Sequence, residues 1–337
     1  MMKMSFLVKK TIWIYVLLLL VTVSTQVAFA EMMDGEVARK KLITEVRTLL
    51  HQEKYNELES MAKKYRKDKT RFPDGGWKIA TFYEAFTEAY YGWDELFRNL
   101  DTWLKKYPNS ITARVVAGEA WLSFAWQARG SGYANTVKEE GWKLKRERVA
   151  KAYEMVKNSP SDSSKDCMSR YGLLLSIAQA QGWDRERYEE LFKKAVSFEP
   201  SYHSYYTKKA YYLLPRWYGE EGEWGKFANE AVKLTPTSEG MGIYTRILRM
   251  AWSVNEFKEF REPDISWKKM KQGFLDIERK YPNSPSNLNY FCMFACIAGD
   301  KETAKQLFKR IGDEPYVEVW KGRSNFEKWQ IWAGVVK

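Results

Sequence analysis

From about residue 36 onward, apolar side chains recur at the 3.6-residue spacing of an α-helix in blocks of about 12 to 18 residues, and the period-2 alternation of a half-buried strand is almost absent. A chain patterned this way can build a core only by packing helices on helices. Short Gly, Pro, Asn and Asp punctuation separates the blocks. One block reads Leu191, Phe192, Ala195, Val196 and closes at Pro200, and another reads Phe227, Ala228, Ala231, Val232 and closes at Pro236. The same register recurs with Trp103 before Pro108, Met155 before Pro160 and Ile277 before Pro282, and the string Tyr-Pro-Asn-Ser occurs at both 107–110 and 281–284. Proline cannot continue a helix, so each mark forces a reversal. The five marks stand 36 to 52 residues apart, the pattern of internal repeats.

The end of each block resembles the second helix of a tetratricopeptide motif, with Tyr188, Phe192, Ala195 and Pro200 at the consensus spacing and Ala304 and Phe308 matching part of it. The expected fold is all-α, a right-handed α-α superhelix of irregular tetratricopeptide-like hairpins. Gly92-Trp93-Asp94, Gly182-Trp183-Asp184 and Gly299-Asp300 read as turns inside hairpins, glycine ending one helix and aspartate capping the next. Hairpins are expected at about 36–69, 77–107, 112–157, 166–198, 202–234, 240–281 and 285–311, with a capping helix around 325–334. The uneven spacing departs from the 34-residue family period, so extra turns or loops must lie between some repeats.

The first residues carry Lys3, Lys9 and Lys10 without an acid, then an apolar run containing four consecutive leucines, then Ala28, Phe29 and Ala30. This is the order of a cleavable signal peptide, residues 1–30, with cleavage before Glu31. The apolar core from Thr11 to Val23 is shorter than the roughly 20 residues a membrane span requires. Residues 31–337 are then expected to form one helical-repeat domain, periplasmic or secreted, without stable membrane insertion. The formal charge of +12 includes the three leader lysines, leaving +9 after cleavage. An exported chain of that charge suits an anionic partner in the cell envelope rather than nucleic acid, provided the charge is patched.

Three cysteines are too few, and odd in number, for a disulfide framework. Cys292 and Cys296 share one face of an apolar helix and read as buried thiols. His51 and His203 have no companions at ligand spacing, so neither a metal nor a cofactor is expected.

Two stretches stand apart from repeat filler. Trp126, Arg129 and Tyr133 lie at a helix end that runs into a glycine-bearing loop, and Arg216, Trp217 and Tyr218 lie between Pro215 and Gly219. Guanidinium beside aromatic faces suits carboxylates, peptides or sugars, and the same residues also suit packing corners between repeats. Together with the Tyr-Pro-Asn-Ser string, these stretches resemble a bacterial family of exported proteins that share a domain of unknown function with tetratricopeptide-like helices, over roughly residues 90–312. The resemblance implies fold and export and transfers no catalytic residue.

The chain is rich in rings, with 15 Trp, 21 Tyr and 17 Phe. Tyr202, His203, Tyr205, Tyr206, Tyr211, Tyr212 and Trp217 are expected on the first helix of a hairpin, the helix that lines the concave face of tetratricopeptide arrays, so some rings should face a groove. The leading expectation is a non-enzymatic scaffold that binds a protein or peptide segment there. One alternative is a carbohydrate or cell-wall binding module, which would display coplanar exposed rings. The other is a glycan hydrolase built on Glu84, Glu88, Asp94 and Glu95, which needs two carboxylates facing one pocket.

Overall fold

The structure is a computed structural model and describes residues 34–130, 132, 136–158, 167–235, 237–261, 263–282 and 284–336. The expected signal peptide, Tyr133, Pro160 and Pro236 lie outside these residues.

Helices account for nearly all of the regular structure among the described residues. In chain order they are α1 (Gly35–His51), α2 (Tyr55–Lys67), α3 (Lys78–Glu84), α4 (Trp93–Lys106), α5 (Ile111–Arg129), α6 (Glu139–Val156), α7 (Met168–Gln181) and α8 (Arg185–Phe198), of which α1 packs on α2, α5 on α6 and α7 on α8. Then follow α9 (Ser204–Tyr212) with α10 (Glu223–Leu234), α11 (Gly242–Ser253) with α12 (Trp267–Lys280), and α13 (Pro285–Ile297) with α14 (Lys301–Ile311). A short α15 (Val317–Trp320) and α16 (Arg323–Ala333) close the chain. These limits agree with the expected hairpins to within a few residues. The longest interval between proline marks is explained by α5 and α6, which are 19 and 18 residues long.

The two helices of a hairpin do different work. The first helix also packs on the first helices before and after it, as α5 does on α3 and α7, and α9 on α7 and α11. It is therefore apolar nearly all round: α7 buries ten of its 14 residues. The second helix is amphipathic, and α8 buries only Tyr188, Phe192 and Ala195, the residues that carry the tetratricopeptide spacing. Tyr188 stacks on Tyr212 of the next hairpin at 3.7 Å between ring centroids. Burying a ring of this kind contributes about 1.5–3 kcal/mol, so Tyr188 and Phe192 hold one repeat to the next.

Local signals set the helix ends. Ser110, Asp184, Ser266, Ser284 and Asp300 each accept a hydrogen bond from the backbone N–H three residues on, satisfying a helix-start donor. Gly182 ends α7 with φ of +69°, a left-handed conformation that glycine adopts without strain. Asp94 departs from its expected role. Gly92 occupies the cap position and Asp94 lies within the first turn of α4, where its charge suits the positive end of the helix dipole.

The stack also curls until its ends meet. Asp34 sits at the start of α13, accepting from the Ser286 N–H at 2.8 Å and the Ser284 hydroxyl at 3.0 Å, while the Glu36 N–H donates to the Tyr316 hydroxyl at 2.6 Å. The connection from α2 to α3 completes the closure. Asp74 binds Arg39 at 2.6 Å, its carbonyl accepts from the Asn287 amide, and Trp77 packs edge-on against Tyr202 at 5.1 Å. Lys69 pairs with Glu199 at 2.6 Å. Residues 69–77 thus touch the connection between α8 and α9 and the start of α13 as well as α1, a role that local sequence did not signal.

Candidate binding groove

The C-terminal halves of α5, α7 and α9 and the N-terminal part of α6 enclose a cavity of about 1000 Å³. Helical spacing explains its walls: Leu122, Trp126 and Arg129 share a face of α5, Ser176 and Gln179 a face of α7, and Thr207, Lys208 and Tyr211 a face of α9. Trp142 and Lys145 enter from α6, three residues apart, and Arg216 and Trp217 from the turn after α9. Four lining residues are cationic, four are aromatic, and none is acidic.

The cations are poorly neutralised. Lys145 is 8% exposed, and its ammonium donates to the Ala180 carbonyl at 3.2 Å and lies 4.5 Å above Trp126 and 5.3 Å above Trp142. Burial, with Arg129 adding repulsion, holds its pKa below the ordinary lysine value. Arg129 donates to the carbonyls of Gly130 and Gly132 at 3.1 and 2.8 Å, and its Nε has no partner. The Lys208 ammonium donates to the Ser176 hydroxyl at 2.6 Å. Among the described residues, Lys145, Arg129 and Lys208 form no ion pair, whereas Arg216 pairs with Glu256 at 3.0 Å and donates to the Val254 carbonyl at 2.8 Å.

Four of the six sequence candidates line this space. Trp126 and Trp217, 91 positions apart in sequence, meet edge to face at 5.7 Å and 75°. Arg129 and Arg216 complete the set, the latter also tying its turn to the following hairpin. Tyr218 is placed elsewhere: its ring stacks on Tyr212 at 4.9 Å and its hydroxyl donates to the Gln179 carbonyl, the work of a packing corner. Of the aromatic cluster around α9, Tyr202, Tyr205, Tyr206 and Tyr212 are buried, and only Tyr211 and Trp217 reach the cavity. Lys145, Trp142 and Lys208 carried no motif, although the Trp142 and Lys145 spacing on one helix face could have flagged them.

Of the four acids that suggested a hydrolase, Glu88 and Glu95 line one pocket and Glu84 lines another. Glu88, 79% exposed, pairs with Arg47, and Glu95 contacts His51 at 2.8 Å. Glu84 alone turns into a second cleft of about 170 Å³, whose other acid is Glu119 of α5. Cys292 and Cys296 are buried, as their helix pattern implied.

Residues 42–156 match the family model described as "Domain of unknown function (DUF4034)". The matched stretch runs from within α1 to the end of α6 and includes Glu84, Glu119, Trp126, Arg129, Trp142 and Lys145. It overlaps the 90–312 resemblance read from the motifs only in part, beginning earlier and ending before the second motif. No curated protein matches the chain. Among solved structures, one titled "Crystal Structure of the Yeast Tom70" is similar at a TM-score of 0.34 and 17% identity, covering 72% of this chain and 41% of that chain. Fold class here rests on the helices themselves. No helix among the described residues is long and apolar enough to cross a membrane.

Proposed function

We propose that this chain is a non-catalytic scaffold that binds a protein or peptide segment in the cavity between α5, α6, α7 and α9. The observation that carries the reading is the character of the wall: cations without acidic partners beside tryptophan and tyrosine faces. Such a wall offers apolar area to side chains and charge-assisted hydrogen bonds to carboxylates or backbone carbonyls. The ring geometry favours peptide over sugar. Sugar platforms present rings in one plane, whereas Trp126 crosses Trp217 at 75° and Tyr211 crosses Trp217 at 51°. The leader-like residues 1–30 support placing the activity in the cell envelope, and N-terminal sequencing of the exported protein, with Glu31 as the expected first residue, tests that placement.

A displayed library of random dodecapeptides tests the groove. Wild-type protein enriches a family of sequences, and Trp217→Ala and Lys145→Met proteins with unchanged circular dichroism do not. Equal enrichment by all three would put the binding surface elsewhere, and selective retention on glycan arrays instead would favour the carbohydrate reading.

A further inference from the structure

The cavity does not end at Lys208. That side chain also lines the adjoining cleft, whose walls include Tyr83 and Glu84 from α3, Glu119 from α5, Ser169 from α7 and Tyr202. The two spaces adjoin at Lys208 across the same layer of helices, and the charge of the walls changes sign from one to the other. Glu119, Leu122, Trp126 and Arg129 stand at i, i+3, i+7 and i+10 on a single face of α5. At 1.5 Å per residue, Glu119 and Arg129 are about 15 Å apart along the helix axis, the reach of about four residues of extended peptide.

The acidic end is as incompletely neutralised as the basic one. Neither Glu84 nor Glu119 forms an ion pair among the described residues. Glu84 stands exposed at the rim of the cleft and Glu119 is half-buried, and desolvation there lifts both carboxyls above the ordinary glutamate range, against the weaker pull of Arg39 on Glu84 and of Lys208 on Glu119. The Ser169 hydroxyl lies in the same wall, on a residue only 4% exposed and beside the Tyr202 hydroxyl. A donor-rich cation between Glu84 and Glu119 would satisfy both carboxylates at once.

We infer that the bound segment is dipolar, with its acidic end between Arg129 and Lys145 and a Lys or Arg about four residues away between Glu84 and Glu119. This rests on the groove proposed above and specifies its ligand. A uniformly acidic segment would meet Glu119, and a uniformly basic one would meet Arg129 and Lys145, so the groove discriminates by repulsion at each end as well as attraction.

Sequencing the dodecapeptides selected by the full chain reads this out. Selected peptides carry an acid and a base about four residues apart in one fixed order. Selection on Glu119→Gln or Glu84→Gln protein, each of nearly unchanged shape, keeps the acid and loses the base. A synthetic selected peptide, followed by fluorescence anisotropy, binds the Glu119→Gln protein on the order of tenfold more weakly. Uniformly acidic selections from wild type and both variants would overturn the dipolar inference and leave the groove standing. Absence of any enrichment by wild type would overturn the groove and this inference together.

Discussion

The Asp34 carboxylate accepts a hydrogen bond from the backbone N–H of Ser286 at 2.8 Å across 252 positions of sequence. It does for α13 what a capping side chain does for its own helix, joining the two ends of the array. Removing it by Asp34→Ala should cost about 1–2 kcal/mol, read as a lower thermal midpoint. An unchanged midpoint would mean that the ends do not cooperate. The pH dependence has a defined sign. Burial, the largest influence, raises the Asp34 pKa above its ordinary 3.8 despite the bond from Ser286, so the folded state holds this proton more tightly than the unfolded chain. The stability tied to that proton is fully present below 3.8 and is lost as pH rises through the folded pKa. Asp34→Asn should therefore gain on wild type across that window and then level off.

Gly75 lies at the centre of the same closure with φ of +85°, and a Cβ there would stand 2.4 Å from the Tyr281 ring. Gly75→Ala combines backbone strain with a clash against a side chain held in the joint, and should cost about 1–3 kcal/mol. Urea unfolding followed by tryptophan fluorescence measures it. A variant as stable as wild type would place this connection outside the cooperative core.

Lys145 offers a different kind of test, because its buried charge opposes stability. Its depressed pKa means that folding becomes more favourable as pH rises through the folded value toward the ordinary 10.5. Lys145→Met keeps the stem packed on Trp126 and Trp142 and removes the charge, so the melting temperature should hold or rise while peptide capture is lost. A falling melting temperature would make the lysine a structural residue.

Cys292 and Cys296 are 0% and 3% exposed, and the Cys292 thiol points at the Ala304 carbonyl 3.7 Å away. Burial raises the Cys292 pKa far above the ordinary thiol range, which suppresses the reactive thiolate. Both should resist iodoacetamide until the chain is denatured, as followed by mass spectrometry. Rapid labelling of native protein would show that α13 opens.

The legible part of the candidate site was the part built from neighbours in sequence. Trp126 and Arg129 share a helix face by virtue of their spacing, and Arg216 and Trp217 are adjacent, so each pair could be recognised alone. Neither stretch signals the other, because the 5.7 Å contact of Trp126 with Trp217 exists only once α7 and α9 have stacked on α5. Glu84 was recognised as a carboxylate but given the wrong companions. Helical spacing suggested Glu88 four residues on, whereas α3 ends at Glu84 and the acid that shares its cleft, Glu119, comes from the next hairpin.

Periodicity, capping residues and proline stops act within a few residues of chain, so the helices, their limits and the faces they bury could be read from the residues alone. Asp184 caps α8 and Gly182 ends α7 whatever lies elsewhere in the molecule. The curvature that brings Asp34 to Ser286, the inward course of residues 69–77, and the meeting of Lys145 with Arg129 without an ion pair among the described residues all arise from packing between hairpins. Each of these depends on small rotations accumulated from one hairpin to the next, and such rotations are set by the packing of rings such as Tyr188 on Tyr212 between repeats. No local stretch of sequence contains them.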